Sequence, residues 1–190
     1  MKLVIAEKPS VARDIAAVIG ANENVDGVLR GNGYLGTAAR GHLVRLKEPQ
    51  EYDSKYEKWN LADLPIIPEF EFVPIENAAD VLAKLQKLMN SKEVDEIICA
   101  TDAGREGECI FRYIYDYVGC KKPFKRLWIS SLTAESIRNG FEHLLPAAEK
   151  DNMYSAGITR AKIDWLWGMN MTRLYTKHLG ALCSVGRVQT

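Results

Sequence analysis

I-I-C-A-T-D-A-G-R-E-G-E-C-I-F-R-Y, residues 97 to 113, decides how the rest of the chain is read. The apolar run Ile97 to Ala100 reads as a short buried strand, and Gly104 and Gly107 after Asp102 allow a tight turn into an amphipathic helix. Acidic side chains thereby collect at the carboxyl end of a strand, the edge of an open α/β sheet where ligands sit. Asp102 and Glu106 are candidates for a hard-cation site, and Glu108 is a weaker one because it begins the helix. A capped helix is the competing reading, with Asp102 as N-cap and the acidic residues complementing the helix dipole. The stretch taken alone does not separate the two.

Working outward, Lys2 to Ala6 is a second apolar strand, and Glu7-Lys8-Pro9-Ser10 opens a helix that runs to about Ile19, with Ser10 as N-cap and Gly20 as its stop. Two strand-loop-helix units make a parallel sheet, and Glu7 and Asp102 become neighbours if their strands are adjacent. Glycines at 27, 31, 33, 36 and 41 among short apolar patches predict a small β insertion. Within it, His42 stands close to Arg40 and Arg45, where it could face a phosphate. Tyr52 to Pro74, rich in proline and aromatics, is expected to lie extended over the core, with an irregular edge strand at 70–73.

The spacing of Val81, Leu82, Leu85, Leu88 and Met89 predicts a core-facing helix over 78–89. A strand over 124–129, a helix from Thr133 and a break at Pro146 follow. The remainder, to about Leu182, reads as a long helix whose apolar face is Met153, Ile158, Ile163, Leu166, Trp167, Met169, Met171 and Leu174. Arg160, Lys162, Asp164, Arg173 and Lys177 punctuate it, a pattern that also suits a groove for single-stranded nucleic acid. The sequence stops at S-V-G-R-V-Q-T, 184 to 190, without a terminating signal, as the first part of a longer chain would.

The 190 residues are 47% hydrophobic, enough for a sizeable core. Lys plus Arg and Asp plus Glu both number 25, so any nucleic-acid surface must be a local patch. The four cysteines, at 99, 109, 120 and 183, form no C-x-x-C pair and have no histidine at zinc-ligand spacing, so neither zinc nor a disulfide is expected, in keeping with a cytoplasmic protein. Neither a signal peptide nor a membrane span is expected.

Five segments taken together, I-A-E-K-P-S at 5–10, A-T-D-A-G-R-E-G-E at 100–108, K-R-L-W-I-S-S-L-T at 125–133, R-A-K-I-D-W-L-W-G-M-N-M-T-R at 160–173 and S-V-G-R-V-Q-T at 184–190, resemble bacterial type IA DNA topoisomerases, the topoisomerase III branch in particular. The resemblance implies an α/β Toprim domain over 1–148, Rossmann-like, with a central parallel sheet flanked by helices. The start of a helical strand-binding domain follows from 149. It also implies Mg²⁺-dependent cleavage of one DNA strand through a 5′-phosphotyrosine, strand passage and religation, by a monomer. Carried over by motif, Asp102 and Glu106 hold the metal with Glu7 beside them. Glu7 is the general acid, and Lys8 pairs with the scissile phosphate. Lys8, Arg160, Asp164, Arg173 and Arg187 contact DNA, and His42 joins them on the strength of its neighbours alone. None of the eight tyrosines matches the nucleophile motif, so this stretch is expected to be inactive by itself. The family pattern D-x-D-x-E is interrupted, with Gly104 where the second aspartate would stand. Another Toprim enzyme, of primase or nuclease type, and a non-catalytic interaction module are the alternatives.

Overall fold

The computed structural model describes residues 1–187, so the last three residues of the S-V-G-R-V-Q-T segment lie outside the described residues. In chain order the elements are β1 (Lys2–Ala6), α1 (Pro9–Ile19), β2 (Glu23–Val25), β3 (Val28–Gly31), β4 (Tyr34–Ala38), β5 (Val44–Leu46), α2 (Pro49–Tyr52), β6 (Phe72–Pro74), α3 (Ala79–Met89), β7 (Glu96–Ala100), α4 (Arg105–Tyr117), β8 (Phe124–Arg126), α5 (Ala134–Glu142), β9 (Leu145–Pro146) and α6 (Asp151–Leu179). They gather into two units, Met1–Arg45 with Pro74–Ser155, and Leu46–Val73 with Ala156 onward.

The first unit is built on a seven-stranded sheet in the order β2-β3-β4-β1-β7-β8-β9. Its four central strands, β4, β1, β7 and β8, run parallel, and the edges are antiparallel. Leu3 to Ala6 of β1 and Ile97 to Ala100 of β7 are buried, as continuous apolar runs in a parallel sheet should be. Val4, Ile15, Ile98, Ala100, Leu127 and Ile137 form one core cluster, which ties β1 and β7 to α1 and α5. The chain leaves β1 toward β4 on one side while β7 pairs on the other, so β1 is a switch point in strand order. Ala6 stands level with Ala100, and the residues that follow these two leave the sheet side by side.

The β insertion over β2 to β4 is present, with Asp26 and Gly27 both at positive φ in the two-residue turn between Val25 and Val28. Helix α1 begins one residue before the expected cap. Lys8 is its N-cap, without a side-chain cap bond, and Pro9 occupies the first turn because its fixed φ already suits a helix. Gly20 ends α1 in the left-handed region, and the Thr133 hydroxyl caps α5 by accepting from the Ser136 amide at 3.3 Å. The long helix is preceded by a 3-10 turn over Ala147–Lys150.

The second unit differs from expectation in two respects. Leu46–Val73 groups with the residues from Ala156 onward and not with the strands of the first unit. Trp165 meets Phe70 and Tyr52 edge-on at 5.4 and 6.4 Å and donates its indole N–H to the Lys47 carbonyl at 2.8 Å. Asn170 bonds both ways with the backbone of Ile66, at 2.6 and 3.0 Å, and so stands in for a strand partner. The buried face of α6 is accordingly marked by Trp165 and Arg173, whereas Ile163, Trp167 and Leu174, assigned to the apolar face by spacing, are exposed. Polar-tipped side chains won that face because the segment they meet offers unpaired backbone groups. No helix among the described residues is long and apolar enough to cross a membrane.

Candidate metal and phosphate site

Where β1 and β7 end, Glu7 and Asp102 lie side by side, and the Asp102 amide donates to Glu7 Oε2 at 3.4 Å. Lys8 Nζ is 3.8 Å from Asp102 Oδ2, and both side chains are 60% exposed, so the pair is open to a ligand and weak by itself. Asp102 is not a helix cap. That position falls to Gly104, which makes no side-chain bond, and the capped-helix reading loses its central feature. Glu106 stands in the first turn of α4 with its carboxylate on His42 Nε2 at 2.5 Å. The loop carrying His42 is itself fastened to the strand end, since the Gly41 amide donates to the Glu7 carbonyl at 3.1 Å. Glu7, Lys8, His42, Asp102 and Glu106 therefore occupy one sheet edge. They are not drawn into a single chelating set: among the described residues no three His, Cys, Asp or Glu side chains are placed to hold a metal. As donors they fit a hard cation, which takes carboxylate oxygen and keeps several waters.

Beneath this open edge lies a buried one. Glu108 and Arg126 are both fully buried, and Arg126 Nε donates to Glu108 Oε2 at 3.0 Å. Arg126 also donates to the carbonyls of Cys99, Leu127 and Asp102, the last at 2.6 Å. Arg112 completes the other side of Glu108 at 2.7 Å and reaches Asp151 at 2.6 Å. The Thr101 hydroxyl donates to the Gly107 carbonyl at 2.7 Å. Glycine is required at 107 because a Cβ there would overlap the Asp102 carbonyl oxygen. At 104 the backbone is extended and a Cβ would meet nothing within 4 Å, so the missing second aspartate has room to stand there.

A mostly parallel sheet with two acidic strand ends at its switch point has a counterpart among known families: the Toprim domain family matches residues 2–132. The chain belongs to the Toprim family. Residues 148–190 match a second family, described as DNA topoisomerase. The chain is 48% identical to the DNA topoisomerase 3 of Bacillus anthracis over 189 residues, 99% of this chain and 26% of that protein. It is 46% identical to the DNA topoisomerase 3 of Shouchella clausii over 190 residues, the whole of this chain and again 26% of the relative. It thus spans about a quarter of the length of the curated relatives it matches. Full-length topoisomerase I from Thermotoga maritima superposes with a TM-score of 0.61 at 24% identity, over 92% of this chain and 26% of that one, a likeness of fold.

Within the Toprim unit, sequence reasoning missed the roles of Arg112 and Arg126. The signal was present in K-R-L-W, but alternation along a strand does not say which of Lys125 and Arg126 turns inward. Lys125 pairs with Glu96 at 3.3 Å, partly exposed, and Arg126 is the buried one. The basic residues of the second unit divide in the same way. Asp164 holds Arg187 Nε at 3.0 Å and Arg160 Nε at 3.9 Å on an accessible face of α6. Arg173 is only 5% exposed, stacks on Trp59 at 5.3 Å and donates to the Tyr56 carbonyl at 2.9 Å. Burial pushes its pKa down, and its Nε has no partner among the described residues. That side chain supports the Leu46–Val73 segment and is not positioned as an open DNA contact.

Proposed function

We propose that this chain is the metal-holding and strand-gripping first part of a type IA DNA topoisomerase of the topoisomerase III kind, with residues 1–148 as its Toprim domain and the strand-binding domain beginning at 149. The observation that carries this reading is the pairing of Glu7 and Asp102 at adjacent strand ends, with Lys8 against Asp102 and Glu106 in the first turn of the following helix. The match of residues 148–190 to the DNA topoisomerase family supports it over a primase, a nuclease or a non-catalytic module.

Asp102 and Glu106 would hold Mg²⁺, with Glu7 at its edge. The ion, when bound, supplies charge neutralisation and polarisation at a DNA phosphate. Lys8 places a point charge against the same phosphate as charge builds on its oxygens. Glu7 delivers a proton to the departing 3′ oxygen of the cut strand. Arg160, Asp164 and Arg187 grip the single strand, and His42 orients Glu106. The nucleophile comes from outside these residues. Tyr113, whose ring lies 6.4 Å from that of His42, is 6% exposed, and burial pushes its phenol pKa up, which is wrong for an attacking oxygen. The working enzyme is a cytoplasmic monomer acting on single-stranded segments of DNA.

Calorimetric titration with Mg²⁺ tests the site. The chain is expected to give binding heats that vanish in the Asp102→Asn, Glu106→Gln variant, and equal heats in both would sink the assignment. The chain alone is expected to leave supercoiled plasmid unrelaxed with Mg²⁺ present.

A further inference from the structure

The first unit contains a cavity of about 380 Å³ whose lining includes Pro9, Arg13, Thr37, Arg40, Asp80 and Lys84 but neither Glu7 nor Asp102. It begins one residue past Lys8, so it adjoins the site already described. Three of its lining side chains are cationic and one is anionic, a local excess of two positive charges (3 − 1 = 2) on a chain whose formal net charge is zero.

Two features distinguish these cations from ordinary surface charge. The side chains of Arg13, on the exposed side of α1, and Arg40, in the loop after β4, make no ion pair or hydrogen bond among the described residues. Arg40 also holds a positive φ of 64°, a conformation sparsely populated outside glycine. Its neighbours fix it there: the Ala39 amide donates to the Ala6 carbonyl at 2.9 Å and the Gly41 amide to the Glu7 carbonyl at 3.1 Å. Lys84 is held as well. Its ammonium donates to the carbonyls of Asp26 and Gly27 at 3.0 and 2.8 Å, which uses two of its three N–H groups and neutralises none of its charge. Positive charge is therefore placed on three separate elements around one hollow.

We propose that this cavity binds a phosphodiester of the DNA strand, at a position beyond the phosphate that Lys8 faces. The inference rests on the function proposed above. Guanidinium groups suit phosphate oxygens because their planar forks can donate two parallel bonds. The lining includes no aromatic ring on which a base could stack, which favours backbone over base recognition. Continuity with Lys8 through Pro9 favours a polymer over a free anion, since successive phosphates along one strand would meet successive cations.

The test is fluorescence anisotropy of a labelled single-stranded oligonucleotide against the full chain across a KCl series. The Arg13→Ala, Arg40→Ala variant is expected to weaken binding several-fold at low salt. It is also expected to flatten the plot of log affinity against log salt by roughly 0.7 for each phosphate that the variant no longer neutralises. The Arg13→Lys, Arg40→Lys variant is expected to keep most of the wild-type slope. Both arginines are exposed, so thermal melts should match wild type; Lys84 is left in place because it pins the Asp26-Gly27 turn. An unchanged slope in the alanine variant overturns the proposal, as does the absence of oligonucleotide binding by the wild-type chain. Displacement of the oligonucleotide by inorganic phosphate or a mononucleotide as readily as by unlabelled oligonucleotide would reassign the cavity to a free anion and overturn it too. Failure of the underlying metal assignment has a separate signature: Mg²⁺ heats that survive Asp102→Asn, Glu106→Gln, with the salt slope unaffected.

Discussion

Two sets of charges share the turn between β7 and α4, and they are built in opposite ways. Glu108, Arg126 and Arg112 are sealed in, with paired side chains at 2.7 and 3.0 Å and further bonds to backbone carbonyls. Glu7, Lys8, Asp102 and Glu106 are open to solvent in whole or in part, and the contacts among them are loose, 3.4 Å from the Asp102 amide to Glu7 and 3.8 Å from Lys8 to Asp102. Residues two apart in sequence, Glu106 and Glu108, thus have different fates: one is open to a ligand and the other has become scaffold. Where burial is complete, a charge is committed to shape; where it is not, a charge remains available for chemistry.

Arg126→Met should break the comparison most sharply. It strips a buried carboxylate of one partner and frees the Asp102 carbonyl, and the expected loss is about 3 kcal/mol in urea denaturation. A midpoint equal to wild type would show that Arg112 alone satisfies Glu108. Next is Gly107→Ala, whose Cβ has to push the Asp102 backbone aside. The expected loss is about 1–3 kcal/mol, with Mg²⁺ binding weakened in step because the ligand moves with the backbone. If stability fell while Mg²⁺ binding held, the turn would not be what positions Asp102. The smallest change in stability is expected for Gly104→Asp, at an extended, unobstructed position. This variant should bind Mg²⁺ more tightly in calorimetry by adding a carboxylate to the exposed set, and equal affinity would dismiss Gly104 as a missing ligand.

Much of the turn was legible in the chain itself. Four apolar residues ending at Ala100, with Asp102 and two glycines after them, specify strand, turn and helix from neighbours alone, and the same holds for Lys2 to Ala6 and for Gly20. The partnership of Glu7 with Asp102 depends on the two strands being adjacent, and the register of Ala6 with Ala100 makes them so. What stayed hidden depends on distant pairing. His42 and Glu106 are 64 residues apart, and Glu108 and Arg126 are 18 apart on different elements. The face of α6 departs from its hydrophobic spacing for a related reason. Hydrophobic spacing gives weight to Ile163 and Trp167, while Asn170 and Arg173 are drawn inward by backbone groups of a segment more than a hundred residues earlier. Side-chain polarity alone does not reveal such partners.

The pairs around Glu108 also have an electrical consequence. Arg126 and Arg112 carry two positive charges, and Glu108 and Asp151 carry two negative ones, so the linked group sums to zero. A lone guanidinium held 2.6 Å from the Asp102 carbonyl would repel any cation approaching the strand ends. With its charge cancelled locally, Arg126 can grip the turn from below while adding almost no field above it. The potential a metal ion meets then owes little to the buried arginines and is shaped by the exposed side chains around it, so exchanging those side chains tunes it without disturbing the support underneath.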